Sequence, residues 1–207
     1  MSPGATFERV YNELKRMLAE GELLPGAPIE PAVIGKQIAS SITPVRDALH
    51  RLTGERMVEA PNHNGFRAPL LTEAALRDLY NWNRLVMGLA VRQLGKSDLK
   101  FEAVSSVSLT DLAASTARLF FTIAQRTGSN ELIRAVQHLN DRLALYRRVE
   151  PALIEDTAEE SMSMTALLAA DDRAGLASLI GIYHRRRVRI VPEILSSLAR
   201  QTRSVGS

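Results

Sequence analysis

A mainly α-helical chain in two parts is predicted by three observations. Apolar residues recur at helical spacing from the N-terminus to about residue 203, while Pro and Gly are dense up to residue 70 and sparse beyond it. Two short extended runs, 57–60 and 66–68, flank Pro61-Asn62-His63-Asn64-Gly65, a hairpin signal with Asn64-Gly65 at its turn. No alternating strand pattern follows Thr72, so apolar positions there fit helices packed on helices. The predicted division is a domain over residues 1–70, three helices and a small hairpin, and an antiparallel helical bundle over 71–207.

The elements follow in order. Val10, Leu14, Met17 and Leu18 share one face of a first helix over about 5–20, and Gly21 stands where a helix C-terminus calls for it. Pro25-Gly26 turns the chain, and Pro31 pre-sets a second short helix with Val33, Ile34 and Ile38 expected inward. Ala39-Ser40-Ser41 is the tight connection. A third helix begins at Ile42 or Thr43, capped by Ser41 or Thr43, and runs to Glu55. Its Val45, Ala48, Leu49 and Leu52 form the buried stripe. At about 100° per residue, Thr43, Asp47 and His50 point the opposite way, with Arg46 and Arg51 on the flanks. An exposed helix bearing Arg, Asp and His is unremarkable alone. Preceded by a short helix and a tight turn, and followed by a hairpin, it has the order of a winged helix-turn-helix, whose third helix enters the DNA major groove.

Composition narrows the function. The 207 residues carry a formal charge of +3, and the first 70 hold eight Lys/Arg against eight Asp/Glu. DNA affinity must therefore come from where charges sit rather than from bulk charge. Absence of cysteine excludes disulfides and Cys-ligated metals and suits a reducing cytosol. No apolar run approaches a membrane span, and the N-terminus lacks a signal-peptide pattern, so a cytoplasmic protein is expected.

Three motifs together resemble the GntR transcriptional regulators: Gly21-Glu22-Leu23-Leu24-Pro25-Gly26; Thr43-Pro44-Val45-Arg46-Asp47-Ala48-Leu49-His50-Arg51-Leu52; and Asn64-Gly65-Phe66-Arg67-Ala68-Pro69-Leu70. They cover about the first third of the chain, in family order. Residues 72–94, with Leu79-Tyr80 and Arg84, and residues 166–184 more loosely resemble the first long helix and closing helices of the FadR-type (FCD) effector domain. The resemblance implies that Ser41, Ile42, Thr43, Arg46, Asp47, His50 and Arg51 meet operator DNA, with His63, Asn64 and Gly65 at the wing tip meeting the minor groove or its phosphates. It also implies a homodimer on a near-palindromic operator. One departure stands out. The residue before Thr43 is usually an Arg reaching guanine in this family; here it is Ile42, which offers only an apolar contact. An operator unlike the usual one is expected.

Family effector domains often hold a divalent metal on an Asp and three His. The first two positions fall near Thr116 or Ala117 and Phe120 or Phe121, the third at Glu160 and the last at His184. Two possible ligands do not make a tight site, so no metal or other cofactor is expected, and Glu160 and His184 are remnants or pocket-lining groups. Arg147 and Arg148 lie where related domains present Arg to a carboxylate effector, and adjacent residues cannot share a helix face. Effector candidates are thus Arg147, Glu160 and His184, for a small carboxylate or acyl metabolite. The 95–120 segment is shorter than in the family, and Ser105-Ser106-Val107-Ser108-Leu109-Thr110-Asp111 has the look of a loop ending in a cap. A regulator that senses nothing stays open.

The basic run His184-Arg185-Arg186-Arg187-Val188-Arg189 spreads round its helix and is expected to be solvated or dimer-facing. An enzyme is not expected. There is no phosphate-binding Gly loop with Lys, no Gly-x-Ser-x-Gly and no His-Glu-x-x-His, while Glu159-Glu160 and Asp171-Asp172 diverge as adjacent pairs. The expectation is a DNA-binding regulator, a repressor by promoter occupancy, with activation using the same parts. The alternative is a helical protein-interaction or metabolite-binding protein with a vestigial winged domain.

Overall fold

The computed structural model describes residues 3–61, 65–95 and 111–205. The chain divides into two compact units, Met1–Leu70 with Thr202–Ser207, and Leu71–Gln201.

In the first unit, α1 (Pro3–Glu20) buries Val10, Leu14, Met17 and Leu18. Gly21 closes it at φ 78°, with its N–H on Leu18 O and that of Glu22 on Met17 O, the paired bonds of a Schellman end. Pro25 and Gly26, the latter at φ 79°, then turn the chain through an Ala27 N–H to Leu24 O bond of 2.9 Å. The chain leaves this turn as β1 (Pro28–Ile29), which pairs antiparallel with β2 (Phe66–Arg67) in the register Pro28 to Arg67 and Ile29 to Phe66. On its other edge, Arg67 exchanges two backbone bonds with Glu59, of 2.8 and 2.9 Å. The hairpin is thus present, and β1 adds a third segment that its two residues gave no pattern to foretell.

Pro31 opens α2 (Pro31–Gln37). Ile34 is buried, but Val33 is 59 % exposed. A seven-residue helix buries only a narrow stripe, and Val33 stands about 100° off the line of Ile34 and Ile38. The turn to α3 (Ile42–Gly54) is tight: Ala39 takes φ 50°, Ser40 N–H bonds Gly35 O at 2.8 Å, and a Cβ on Gly35 would stand 2.9 Å from Ser40 O. Val45, Ala48, Leu49 and Leu52 of α3 are all fully buried. They close the core with α1, Ile29, Ile34, Met57, Val58 and Phe66.

The described part of the second unit is helical throughout: α4 (Glu73–Arg92), α5 (Leu112–Gln125), α6 (Asn130–Val149), a short 3-10 turn at Glu150–Ala152, α7 (Thr157–Ala169), α8 (Arg173–Arg189) and α9 (Val191–Val205). Side chains of Thr72, Asp111, Ser129 and Asp172 cap α4, α5, α6 and α8 by accepting from the backbone N–H three residues on. Asp111 therefore does end its segment in a cap, whereas 105–110 lie outside the described residues. The core joins Leu76, Tyr80 and Met87 of α4 to Phe120 of α5, Leu143 of α6, Met164 of α7 and Ile180 of α8.

Candidate functional site

Two arrangements concentrate polar side chains, one in each unit. In the first, burial of the apolar stripe of α3 leaves Ser41, Ile42, Thr43, Arg46, Asp47 and His50 exposed together. Arg46 makes no ion pair among the described residues, and with His50 it lines a groove of about 450 Å³ that also includes Glu30, Pro31, Gly65 and Phe66. The His50 ring stands edge-on to Phe66 with centroids 5.0 Å apart, so α3 and β2 are in direct contact. Gly65 has φ 83°, a conformation few other residues adopt. His63 and Asn64 lie outside the described residues.

Arg51, also expected to meet DNA, is exposed and has its charge engaged within this unit. Its guanidinium lies over the Tyr11 ring at 4.1 Å and reaches Glu55 at 3.1 Å and Glu8 at 3.3 Å, clamping α3 to α1. The signal was in the sequence, since Glu55 follows Arg51 by one helical turn. Tyr11 completes the clamp by donating to Glu55 at 2.6 Å.

The second arrangement is a buried polar cluster in the bundle. Arg187 of α8 is 2 % exposed, where a solvated or dimer-facing residue was expected. Its Nε donates to Glu150 Oε2 at 2.9 Å, its Nη1 lies 2.5 Å from Glu160 Oε2, and its plane stacks on Tyr183 at 3.5 Å. Tyr80 of α4 donates to the other oxygen of Glu150 at 2.7 Å. The missed signal is spacing: Leu176, Ile180, Tyr183 and Arg187 recur at 4, 3 and 4 residues, which puts Arg187 on the buried stripe of α8. Glu160 also receives Arg186 at 3.1 Å, so solvation does not account for it.

Arg147 is 1 % exposed and has no carboxylate partner among the described residues. It donates to the neutral Asn140 Oδ1 at 2.8 Å and lies over Phe120 at 5.2 Å, and its Nε has no acceptor. Arg148, its neighbour, is exposed.

His184 is fully buried, 2.7 Å from both Ile180 O and the Asn83 amide. Burial pushes its pKa down to about 3; the bond to the Ile180 carbonyl opposes this, and the charges of Arg147, Arg187 and Arg84 add to it. Nδ1 faces the Ile180 carbonyl, and Nε2 faces Asn83 Oδ1, the oxygen that Arg147 Nη2 also approaches at 3.5 Å. Both ring nitrogens are therefore engaged. Phe120 stacks on the ring at 5.9 Å, and Glu160 is held by two guanidinia. These residues do not fit a divalent ion, and among the described residues no group of three or more His, Asp or Glu comes together to hold one.

The depressed His184 value carries a pH consequence. Between pH 6.5 and about 3 the unfolded chain binds a proton that the folded chain refuses, so stability is full above pH 6.5 and falls as pH falls. The expected slope from this group approaches about 1.4 kcal/mol per pH unit. Urea midpoints at pH 7, 6 and 5 should fall more steeply for the wild type than for His184→Gln. Equal slopes would show that His184 does not titrate this way.

Comparison with known proteins decides between the readings of the first arrangement. Residues 6–67 match the family model for bacterial regulatory proteins, gntR family. The chain carries a GntR-family DNA-binding domain. McbR, an HTH-type transcriptional regulator of Escherichia coli, is 25 % identical over 201 residues, covering 88 % of this chain and 91 % of McbR. GlaR, an HTH-type transcriptional repressor of the same organism, is 26 % identical over 194 residues, covering 82 % and 88 %. The solved structure of E. coli McbR superposes with a TM-score of 0.67 at 23 % identity over 91 % of this chain and 97 % of that one. A Rhodococcus protein described as a putative GntR transcriptional regulator gives 0.70 at 16 % identity, over 91 % and 98 %. The likeness in fold to these two structures thus extends to both units. The chain is a DNA-binding transcriptional regulator rather than an enzyme. No helix among the described residues is long and apolar enough to cross a membrane.

Proposed function

We propose that this GntR protein is a repressor of the FadR-type branch that acts as a homodimer on a near-palindromic operator and responds to a small organic acid. Recognition falls to α3, with Arg46 and His50 reading the major groove, Ser41, Thr43 and Asp47 setting its register, and Ile42 supplying an apolar contact in place of the customary Arg. The wing residues His63, Asn64 and Gly65 meet the adjacent backbone.

The single observation that carries the effector reading is Arg147: a guanidinium in the bundle core that meets two neutral amide oxygens, of Asn140 and Asn83, and no carboxylate among the described residues. Such a charge is costly to bury alone, and a carboxylate reaching it would supply the missing counter-charge through a two-pronged bond. No divalent metal takes part. Effector binding biases the helical domains toward an arrangement whose paired recognition helices no longer match the operator half-sites.

The test is fluorescence anisotropy with labelled DNA from upstream of the protein's own gene, run at several salt concentrations and with a panel of mono- and dicarboxylates. Affinity should fall steeply with salt, and an active acid should weaken it further. Arg147→Met removes a poorly compensated buried charge, so the variant should fold and bind DNA, yet lose the response to acid. No binding at low salt would favour the vestigial-adaptor reading. An acid response retained in Arg147→Met would remove Arg147 from the site.

A further inference from the structure

The turn between α2 and α3 is closed by a residue ill suited to it. Ser40 donates to Gly35 O at 2.8 Å and Ala39 to Lys36 O at 3.4 Å, the paired bonds of a Schellman end in which Ala39, at φ 50°, holds the place that glycine usually takes. At the end of α1 the same demand is met by Gly21, which has no Cβ. A Cβ in the left-handed region crowds the carbonyl that follows it, so Ala39 by itself favours other backbone angles. Nor does α2 hold its own end firmly. It has seven residues and buries only Ile34 and Gly35, whereas α3 is seated by four buried apolar side chains.

The missing restraint comes from α1. Arg9 donates from Nη1 to Ile38 O at 2.9 Å and from Nη2 to Ala39 O at 3.3 Å. These two carbonyls belong to the peptide planes on either side of Ala39, and the relative orientation of those planes is what φ and ψ of Ala39 describe. A guanidinium is a flat fork of fixed geometry, so one that engages both carbonyls holds both planes at once. Its charge also suits the C-terminal end of a helix. We infer that Arg9 is a positioning residue for DNA recognition: it locks Ala39 in the left-handed turn from which α3 departs, and so sets the direction in which α3 presents Ile42, Arg46 and His50. The inference rests on the reading of α3 as the helix that meets DNA. Because α3 begins three residues after Ala39, a change of angle at Ala39 swings the whole recognition face. Arg9 acts here without touching DNA. If the turn leaves the left-handed state, affinity falls by the fraction of molecules in which α3 is no longer aligned.

Two measurements on the full chain test the role: anisotropy titrations of labelled DNA from upstream of the protein's own gene, and hydrogen exchange of the Ser40 amide in the DNA-free protein. Arg9→Met should weaken binding about tenfold, the loss expected when the aligned turn drops to roughly a tenth of the population. It should also speed exchange at Ser40, whose bond to Gly35 O closes the turn. Arg9→Lys should fall between the two, since an ammonium lacks the fork that spans two carbonyls. Ala39→Gly should change the wild type little and, combined with Arg9→Met, recover most of the lost affinity, because glycine holds a positive φ unaided. The dependence of affinity on salt should be the same with and without Arg9. As Arg9 is exposed, helicity by circular dichroism should match the wild type throughout. A salt slope shallower by about one in Arg9→Met, with no rescue by Ala39→Gly, would place Arg9 on a phosphate and overturn the positioning role. Unchanged affinity or unchanged Ser40 exchange in Arg9→Met would overturn it as well. Wild-type protein that ignores the DNA at low salt would remove the reading of α3 and this role together, whereas slow Ser40 exchange that depends on Arg9 would still show the lock on the turn.

Discussion

Glu150→Ala is expected to destabilise the helical domain by about 3–5 kcal/mol, the range for breaking a buried ion pair from one side. The residue sits at the end of α6, 4 % exposed, and its two oxygens serve different elements. One accepts from Tyr80 on α4, the other from Arg187 on α8. Truncation leaves a hydroxyl and a guanidinium without their acceptor in a place water does not reach. Glu160 still faces Arg187, but it is shared with Arg186. Urea unfolding followed by circular dichroism should show the loss. Glu150→Leu combined with Arg187→Met should recover most of it, since two apolar residues of similar size remove the charge as well as its partner. A loss below about 1 kcal/mol for Glu150→Ala, the scale of a surface pair, would mean that the cluster is hydrated.

Arg46→Ala should weaken operator binding by about 10- to 100-fold, corresponding to roughly 1–3 kcal/mol for a guanidinium reading a base pair. The side chain is exposed on α3 and lines the groove beside His50. Competition with unrelated DNA separates its possible roles. Base reading predicts loss of discrimination, whereas phosphate contact predicts a uniform loss and a shallower salt dependence. Arg51→Ala is the internal control. Its guanidinium is occupied by Glu55, Glu8 and the Tyr11 ring, so DNA affinity should change little. An Arg46→Ala protein with undiminished affinity would remove α3 from its assigned role.

What could be read from the sequence follows from how local each cause is. The buried stripe of α3 needed only the periodicity of Val45, Ala48, Leu49 and Leu52, and Gly21 and Pro31 declared their helix ends by chemistry acting within one turn. The strand β1 was illegible because two residues beginning with Pro have no alternation, and their partner lies almost forty residues away. Burial of Arg187 was written in the spacing of its helix but overridden by its charge and by the basic run around it. Glu150 could not be found at all: its role depends on Tyr80 and Arg187, 70 and 37 residues distant, meeting at one point. Arg147 came from resemblance rather than pattern. That its counter-charge is lacking is a fact of three helices packed together, which no single segment records.

The short strand β2 has a mechanical consequence. It is tied on one side to β1, which leads directly into α2, and on the other to Glu59, which follows directly from α3. His50 braces the same strand from α3. Both helices and the base of the hairpin are thereby fastened to two residues, which fixes, as in a caliper, the span between the DNA contacts proposed above for α3 and for the wing. A duplex that fits must come to that span, and one whose minor groove resists narrowing or widening pays an elastic cost that grows with its stiffness. On the proposed mode of binding, part of the selectivity then resides in base pairs that no side chain touches.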